Sequence, residues 1–375
     1  MRHWPTYPLA DLCDISIGRT PSRSRREYWG SGYPWLSIAD MNQGKLLNTT
    51  KEQITRLAID ETMGEPTPAG TVVLSFKLSI GKVGITQKPL YTNEAIASLP
   101  IRNPESLSPD YLYWALKSTR MGGAANSAVM GKTLNKKSLS QIRIPVPPLQ
   151  EQRRIVRLLD QADSLRAKRH EGVSLLDELA QSIFLDTFGD PQVNPKSLPV
   201  QPLGLAIRVK SGKFLPSADM NGGDYPVYGG NGVTGYHDNY IFDSPRIAIG
   251  RVGVYCGSVH LTEPRSWITD NSLYVSEMTD NLHIEYLLWA LRFANLNQYA
   301  SRSAQPLISG AKIKDVPLLI PPVELQYEFV KAVRAAGSLQ TRHQSHLAEL
   351  DALFASLQHR AFRGELWTEE IAPVA

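Results

Sequence analysis

The stretch SIGRTPSRSRREYWGSGYPW sets Arg19, Arg23, Arg25 and Arg26 among Thr20, Ser22, Tyr28 and Trp29. Guanidinium groups donate to phosphate oxygens and base edges, and hydroxyl and aromatic neighbours add phosphate and base contacts. A loop of this composition suits nucleic acid. Lys77, Lys82, Lys132, Lys136 and Lys137 add charge to the same half of the chain. The other half offers Lys210, Lys213, Arg246, Arg251, Lys312 and Lys314, and a YGGNG stretch holding Tyr228 and Asn231. Any one of these is ordinarily a solvated surface charge. Together they fall in loops rather than along helix faces, which favours recognition. The candidate DNA contacts are Arg19, Thr20, Ser22, Arg23, Arg25, Lys77, Lys82 and Lys132, then Lys213, Tyr228, Asn231 and Arg251.

Catalytic constellations were sought in the same residues. There is no GxxxxGK[ST] phosphate loop, no HExxH, no GxSxG elbow, and no lysine with a carboxylate two positions before it. The prolines of VPPL and IPPV lack the flanking groups of an adenine-methyltransferase Asn/Asp-Pro-Pro-aromatic motif. One literal GxGxxG occurs at Gly230, Gly232 and Gly235, but YHDNYIFD follows with no helical period. A dinucleotide site needs a helix N-terminus there, so these glycines are read as turn formers or points of close backbone approach.

The elements that carry the loops come in two copies. YLYWALKS at Tyr111 recurs as YLLWALRF at Tyr286, and IPVPPLQEQ recurs as LIPPVELQ, with Pro321 lying 174 positions after Pro147. SFKLSIGKVGI echoes as SPRIAIGRVGV, and TNEAIASLPI as TDNSLYVSEM. Each half combines short runs of strand type, broken by Gly, Pro, Asn and Ser, with a helix at YLYWAL capped by Ser108 and opened by Pro109. After each proline pair comes a long heptad segment: Ile155, Leu158/Leu159, Ala162, Leu165, Val173, Leu176, Leu179 and Ile183, then Phe329, Val333, Ala336, Leu339, Leu347, Leu350, Leu353/Phe354 and Leu357. Sustained a/d apolarity predicts a coiled-coil-like helix pair. The heptad fails at Arg169 and at His343, again 174 apart. In an antiparallel pair these would share one polar, register-fixing layer. Snorkelling to solvent is the plainer alternative, and the heptad alone does not exclude a parallel pair.

The bulk properties fit this reading. With 375 residues the chain exceeds one ordinary core. A net charge of +4 permits nucleic acid without announcing it. Cys13 and Cys256 give neither a disulfide framework nor zinc spacing. No apolar leader and no spanning run is visible, so a cytoplasmic protein is expected. The expected fold class is α+β: β-rich domains at 1–147 and 191–321, long helices at 148–190 and 322–366, and a tail at 367–375.

In this order, GRTPSRSRREYWGSGYPWLSIADM, GTVVLSFKLSIGKVGI, IRIPVPPLQEQRRIVRLLD and the closing AFRGEL resemble the specificity subunit of type I restriction–modification systems. The resemblance spans essentially the whole chain. It implies two target-recognition domains separated by two long helices packed as an antiparallel coiled coil, a pseudo-two-fold tandem repeat. Each domain would read one half of a bipartite, asymmetric site on double-stranded DNA. The helices would set the gap and dock two modification subunits, which bind S-adenosylmethionine; restriction subunits would join that core. The chain itself would hold no cofactor and no metal and would be no enzyme. The GRTPS loop finds no close counterpart beside Ser211-Gly212-Lys213-Phe214, so two unlike half-sites are expected. Two other classes compete: a protein-docking scaffold without DNA readout, and a stand-alone DNA methyltransferase.

Overall fold

A computed structural model describes residues 4–77, 79–119, 135–220, 222–301 and 306–366. The chain divides into two compact units. Unit 1 takes residues 1–170 and 346–375, and unit 2 takes residues 171–345.

In unit 1 the strands are β1 (Thr6–Pro8), β2 (Ser16–Ile17), β3 (Trp29–Leu36), β4 (Leu46–Leu47), β5 (Glu52–Ile54), β6 (Val72–Ser75), β7 (Val83–Thr86), β8 (Tyr91–Thr92), β9 (Ile96–Leu99) and β10 (Arg143–Pro145). They form a five-stranded sheet in the order β2-β9-β6-β7-β4, a three-stranded sheet β5-β3-β8, and the pair β1-β10. Unit 2 holds β11 (Val200–Pro202), β12 (Ile207–Ser211), β13 (Tyr225–Gly229), β14 (Gly232–His237), β15 (Ile247–Gly250), β16 (Val259–Leu261), β17 (Trp267–Ile268), β18 (Ser272–Met278) and β19 (Pro317–Leu319). Its sheets run β12-β18-β15-β16, β14-β13-β17 and β11-β19. Apart from β4, each strand of unit 1 has its counterpart in unit 2. Even the parallel pairing recurs, β3 with β8 and β13 with β17.

Each head helix lies on its larger sheet. Pro109–Ser118 starts as the sequence predicts, with Ser108 Oγ accepting from the Tyr111 N–H and Pro109 in the first turn. Tyr111 through Leu116 are all buried, because this short helix is covered both by β6 and β7 and by the long helix after it. Ile284–Phe293 repeats the arrangement in unit 2.

The proline pairs open the two long helices, Leu149–Phe188 (40 residues) and Val323–Arg363 (41 residues), each about 60 Å long at ~1.5 Å per residue. The repeated PPxxxQ spacing has a structural reason: Gln152 and Gln326 are both fully buried. The Gln152 amide donates to Ser106 O (2.7 Å) and Pro147 O (2.8 Å) and accepts from Ser108 N (3.0 Å). Gln326 donates to Asn281 O and Pro321 O (both 2.8 Å) and accepts from His283 N (2.8 Å). One carboxamide thus joins three loose ends: the loop before the head helix, that helix's cap, and the turn into the long helix. A tyrosine adds a fourth tie, Tyr111 Oη to Pro145 O (2.7 Å) and Tyr286 Oη to Leu319 O (2.9 Å).

The inward side of the first long helix runs Gln152, Ile155, Leu159, Ala162, Arg166, Arg169, Val173, Leu176, Ala180, Ile183 and Thr187, all buried or half-buried. Steps of three and four alternate without a break. The second helix repeats the row 174 positions later, from Gln326 and Phe329 through Gln340 and His343 to Phe354, Leu357 and Ala361. This corrects the predicted phase at three places. Leu165, Leu179 and Leu339 face out, at 58%, 45% and 37% exposure, and Arg166, Ala180 and Gln340 take their inward positions. Fixed by the buried Gln152, the strict alternation wins over the preference of leucine for the seam. Arg166 is accommodated by Asp163 (2.9 Å), Asp351 (2.6 Å) and the Phe354 ring (4.4 Å). The pair is antiparallel: in unit 2 a Cβ on Gly172 would meet His343 at 3.5 Å, and Phe184 meets Phe329 at 5.5 Å. Arg169 and His343 are each half-buried, and His343 Nδ1 has no hydrogen-bond partner.

Candidate nucleic-acid interface

Both heads are built around a glycine that no other residue could replace. A Cβ on Gly18 would sit 2.1 Å from Thr92 O, and one on Gly212 would sit 2.2 Å from Thr269 O. In each head the next residue is basic, and its N–H continues the approach: Arg19 to Thr92 O (2.8 Å), Lys213 to Ile268 O (2.9 Å). An indole N–H then holds that residue's carbonyl, from Trp35 to Arg19 O (3.0 Å) and from Trp267 to Lys213 O (2.9 Å). So the GRTPS loop does have a counterpart, Gly212-Lys213-Phe214-Leu215-Pro216-Ser217, longer by one residue. The shared Gly-basic-(x)-Pro-Ser frame was the available signal. The one-residue insertion and the loss of every later arginine hid it.

A second predicted correspondence moves the other way. In ladder bonding, Ser75 N to Lys82 O matches Gly250 N to Ser258 O, and Phe76 N to Ala95 O matches Arg251 N to Asn271 O. Arg251 therefore stands where Phe76 does, not where Lys82 does. The GKVG and GRVG echo joins a strand entrance to a strand exit.

The arginine loop of unit 1 is already occupied by carboxylates. Arg23 lies over the Trp29 ring (3.7 Å) and pairs with Glu52, and Arg25 pairs with Glu27 and Glu61 (both 2.7 Å) and lies over the Tyr28 ring (4.2 Å). The Arg23 hydrogen bond holds the Glu52 carboxyl below the usual range, and bonds from Tyr28 and Arg25 do the same for Glu61. Thr20 Oγ1 bonds Glu94, Ser22 Oγ bonds Ser24 (2.8 Å), and Arg19 donates to Thr62 O (3.1 Å). These ion pairs are 40–55% exposed on both sides. Water and salt screen exposed pairs, so exchange of a carboxylate for a phosphate costs little.

Among the described residues, four other candidates hold only neutral partners. Lys77 sits over Phe76 (5.4 Å), Lys82 donates to Ile38 O (3.2 Å) and Asn42 Oδ1 (2.7 Å), Lys213 sits over Trp267 (5.4 Å), and Arg251 donates to Ser211 Oγ (3.1 Å). No carboxylate among the described residues forms an ion pair with them. Asn231 is exposed at the β13–β14 turn, where Gly232 has φ +86°, the turn role read for the glycine cluster. Tyr228 is placed differently from expectation: 5% exposed, it packs with Ala248 and Ile268, and its hydroxyl accepts from Glu263 N (3.1 Å). Its strand is buried on both faces, and it belongs to the core. Lys132 lies outside the described residues. Among the described residues no group of three or more His, Cys, Asp or Glu is placed to hold a metal ion, and no helix is long and apolar enough to cross a membrane.

Two copies of one α+β head, each tied by a buried glutamine to one of two antiparallel helices, define a tandem-repeat architecture. Residues 1–174 and 206–350 match the family profile of the type I restriction modification DNA specificity domain. The chain belongs to that family and carries its domain twice. It is 26% identical over 345 residues to the EcoprrI specificity subunit of Escherichia coli, covering 85% of this chain and 84% of that protein. The crystal structure of the S subunit from M. genitalium superposes with a TM-score of 0.62 at 18% identity, covering 96% of both chains. A chain from a structure describing complex assembly and conformational transition of the type I R-M system gives 0.56 at 16% identity, covering 98% of this chain and 99% of that one.

Proposed function

We propose that this chain is the DNA-reading subunit of a type I restriction–modification complex and performs no bond chemistry itself. Each head reads one half of a bipartite site through its glycine-anchored basic loop and the neighbouring turn. The observation that carries this reading is the repeat of one scaffold, strand for strand but for β4, with different side chains at equivalent loops: Arg23 and Arg25 with their glutamates in unit 1, Phe214 and Leu215 in unit 2. Two unlike half-sites result. The outward leucines of the long helices, Leu165, Leu175, Leu179 and Leu353 at 45–58% exposure, suit two docked modification subunits, which supply S-adenosylmethionine; restriction subunits join this core in the cytoplasm.

The test is equilibrium binding of duplex DNA by the chain assembled with its modification subunit, across a salt series. Phosphate neutralisation makes log K fall linearly with log salt, by ~0.9 per contact. Binding that does not respond to salt, or no DNA binding by a stable assembly, would favour protein docking instead.

A further inference from the structure

The turn joining β15 to β16 presents Val254 at 86% and Tyr255 at 59% exposure. Val254 is the most exposed large apolar side chain among the described residues. A mobile loop would give this no meaning, but the turn is braced throughout. Gly253 N bonds Pro306 O (3.1 Å), Cys256 N bonds Gly253 O (3.1 Å), Ser258 N bonds Tyr255 O (3.0 Å), and Gly257 N bonds Gly250 O (2.8 Å). Cys256, at 2% exposure, anchors the base: its thiol donates to Arg251 O (3.1 Å) and its carbonyl accepts from Asn297 (2.7 Å). Gly253 and Gly257 supply the positive φ angles of +78° and +91°.

Polar donors stand at the base of this turn. Arg251 is held at Ser211, and Lys312 bonds Leu307 O (3.2 Å) beside the Val252–Leu307 bridge. The Asn231 turn abuts the same place, since Ser258 Oγ donates to Gly230 O (2.6 Å) and a Cβ on Gly230 would lie 3.5 Å from Val252 O. The equivalent turn of unit 1 carries Lys77 and Lys82 around Ile80, which is 36% exposed. The second head's turn is thus the more apolar of the two at its tip.

We propose that Val254 and Tyr255 are specificity-determining residues of the second head, reading a thymine 5-methyl group in the groove while Arg251, Lys312 and Asn231 hold the adjacent backbone. This rests on the DNA-reading function proposed above. Cations at the base of the turn match phosphate, and an apolar tip without hydrogen-bonding groups at Val254 matches the one apolar feature of a base-pair edge.

Val254→Ser, Tyr255→Ser and Tyr255→Phe are made in the full chain, co-expressed with the modification subunit, and the methylated motif is mapped. Thermal melts establish that the variants fold. The serine variants relax discrimination at a T·A position of one half-motif by about 4-fold, the worth of one buried methyl group, and leave the other half-motif unchanged. Tyr255→Phe retains full stringency, because the contact is through the ring. With the purified complex, uracil in place of that thymine weakens the unaltered chain and not Val254→Ser. Full stringency in both halves of the serine variants overturns the proposal while leaving the DNA-reading function intact. Failure of those variants to co-purify with the modification subunit also overturns it, by placing the turn at a protein interface. Absence of any bipartite motif with the unaltered chain sinks the underlying reading instead.

Discussion

Replacing Gln152 by Ala removes a buried side chain that ties the first head to the start of its long helix; further along, Asp160 makes a second tie by accepting from Trp114 and Lys45 (both 2.8 Å). The amide makes three hydrogen bonds at 2.7, 2.8 and 3.0 Å from a fully buried position. The substitution leaves the Ser108 N–H and the Ser106 and Pro147 carbonyls without this partner. At ~1 kcal/mol for each net bond, and 1–3 kcal/mol for a group left buried and unpaired, the loss is roughly 3–5 kcal/mol. That is a large part of the ~5–15 kcal/mol that holds a domain folded. Hydrogen exchange across a denaturant series measures it locally. Amides of unit 1, the Ser108 amide first, should exchange at a free energy lower by that amount, with unit 2 unchanged; Gln326→Ala should give the mirror result. A loss below about 1 kcal/mol, or equal losses in both units, would refute the assignment of the glutamines as the head-to-helix joint.

Three further outcomes are expected. Lys213→Ala should lower the slope of log K against log salt by ~0.9, whereas Arg23→Ala, whose charge Glu52 already balances, should lower it by less. Burial holds His260 and His283 below the ordinary histidine value of 6.5. The folded state therefore stays neutral where the unfolded chain takes up protons, so this stabilisation is present above pH 6.5 and is lost as pH falls below it. Unit 2 should melt earlier on acidification, and His283→Asn, which still caps the helix, should reduce that dependence. Deleting one heptad from Leu149–Phe188 together with its antiparallel partner heptad in Val323–Arg363 should shorten the gap between half-sites by ~10 Å, about 3 bp, and leave the half-site sequences unaltered.

Much of the architecture was legible because it is written twice. The recurrence of YLYWAL and of the proline pair gave the tandem repeat, and Ser108-Pro109 gave a helix start that the structure keeps. What stayed hidden was hidden for physical reasons. Gln152 reads as a polar surface residue in a charged segment, and only tertiary contacts reveal that its amide is inside. Leu165 and Leu179 look like seam residues because composition favours leucine there, while a one-position change of phase sends Arg166 and Ala180 inward. The site was legible as loops and not as residues. Arg23 and Arg25 are paired, and while Glu27 is a sequence neighbour, Glu52 and Glu61 lie in a distant strand and helix, invisible to local reading. Tyr228 lies in a strand buried on both faces, which the glycine-rich surroundings obscured.

The most direct measurement of the central claim is genome-wide mapping of N6-methyladenine after co-expression with the neighbouring modification subunit. The account predicts a split motif of two unlike halves with a fixed gap, lost when this chain is omitted. Methylation at a continuous or unchanged motif without the chain, or none from a stable complex, would contradict it.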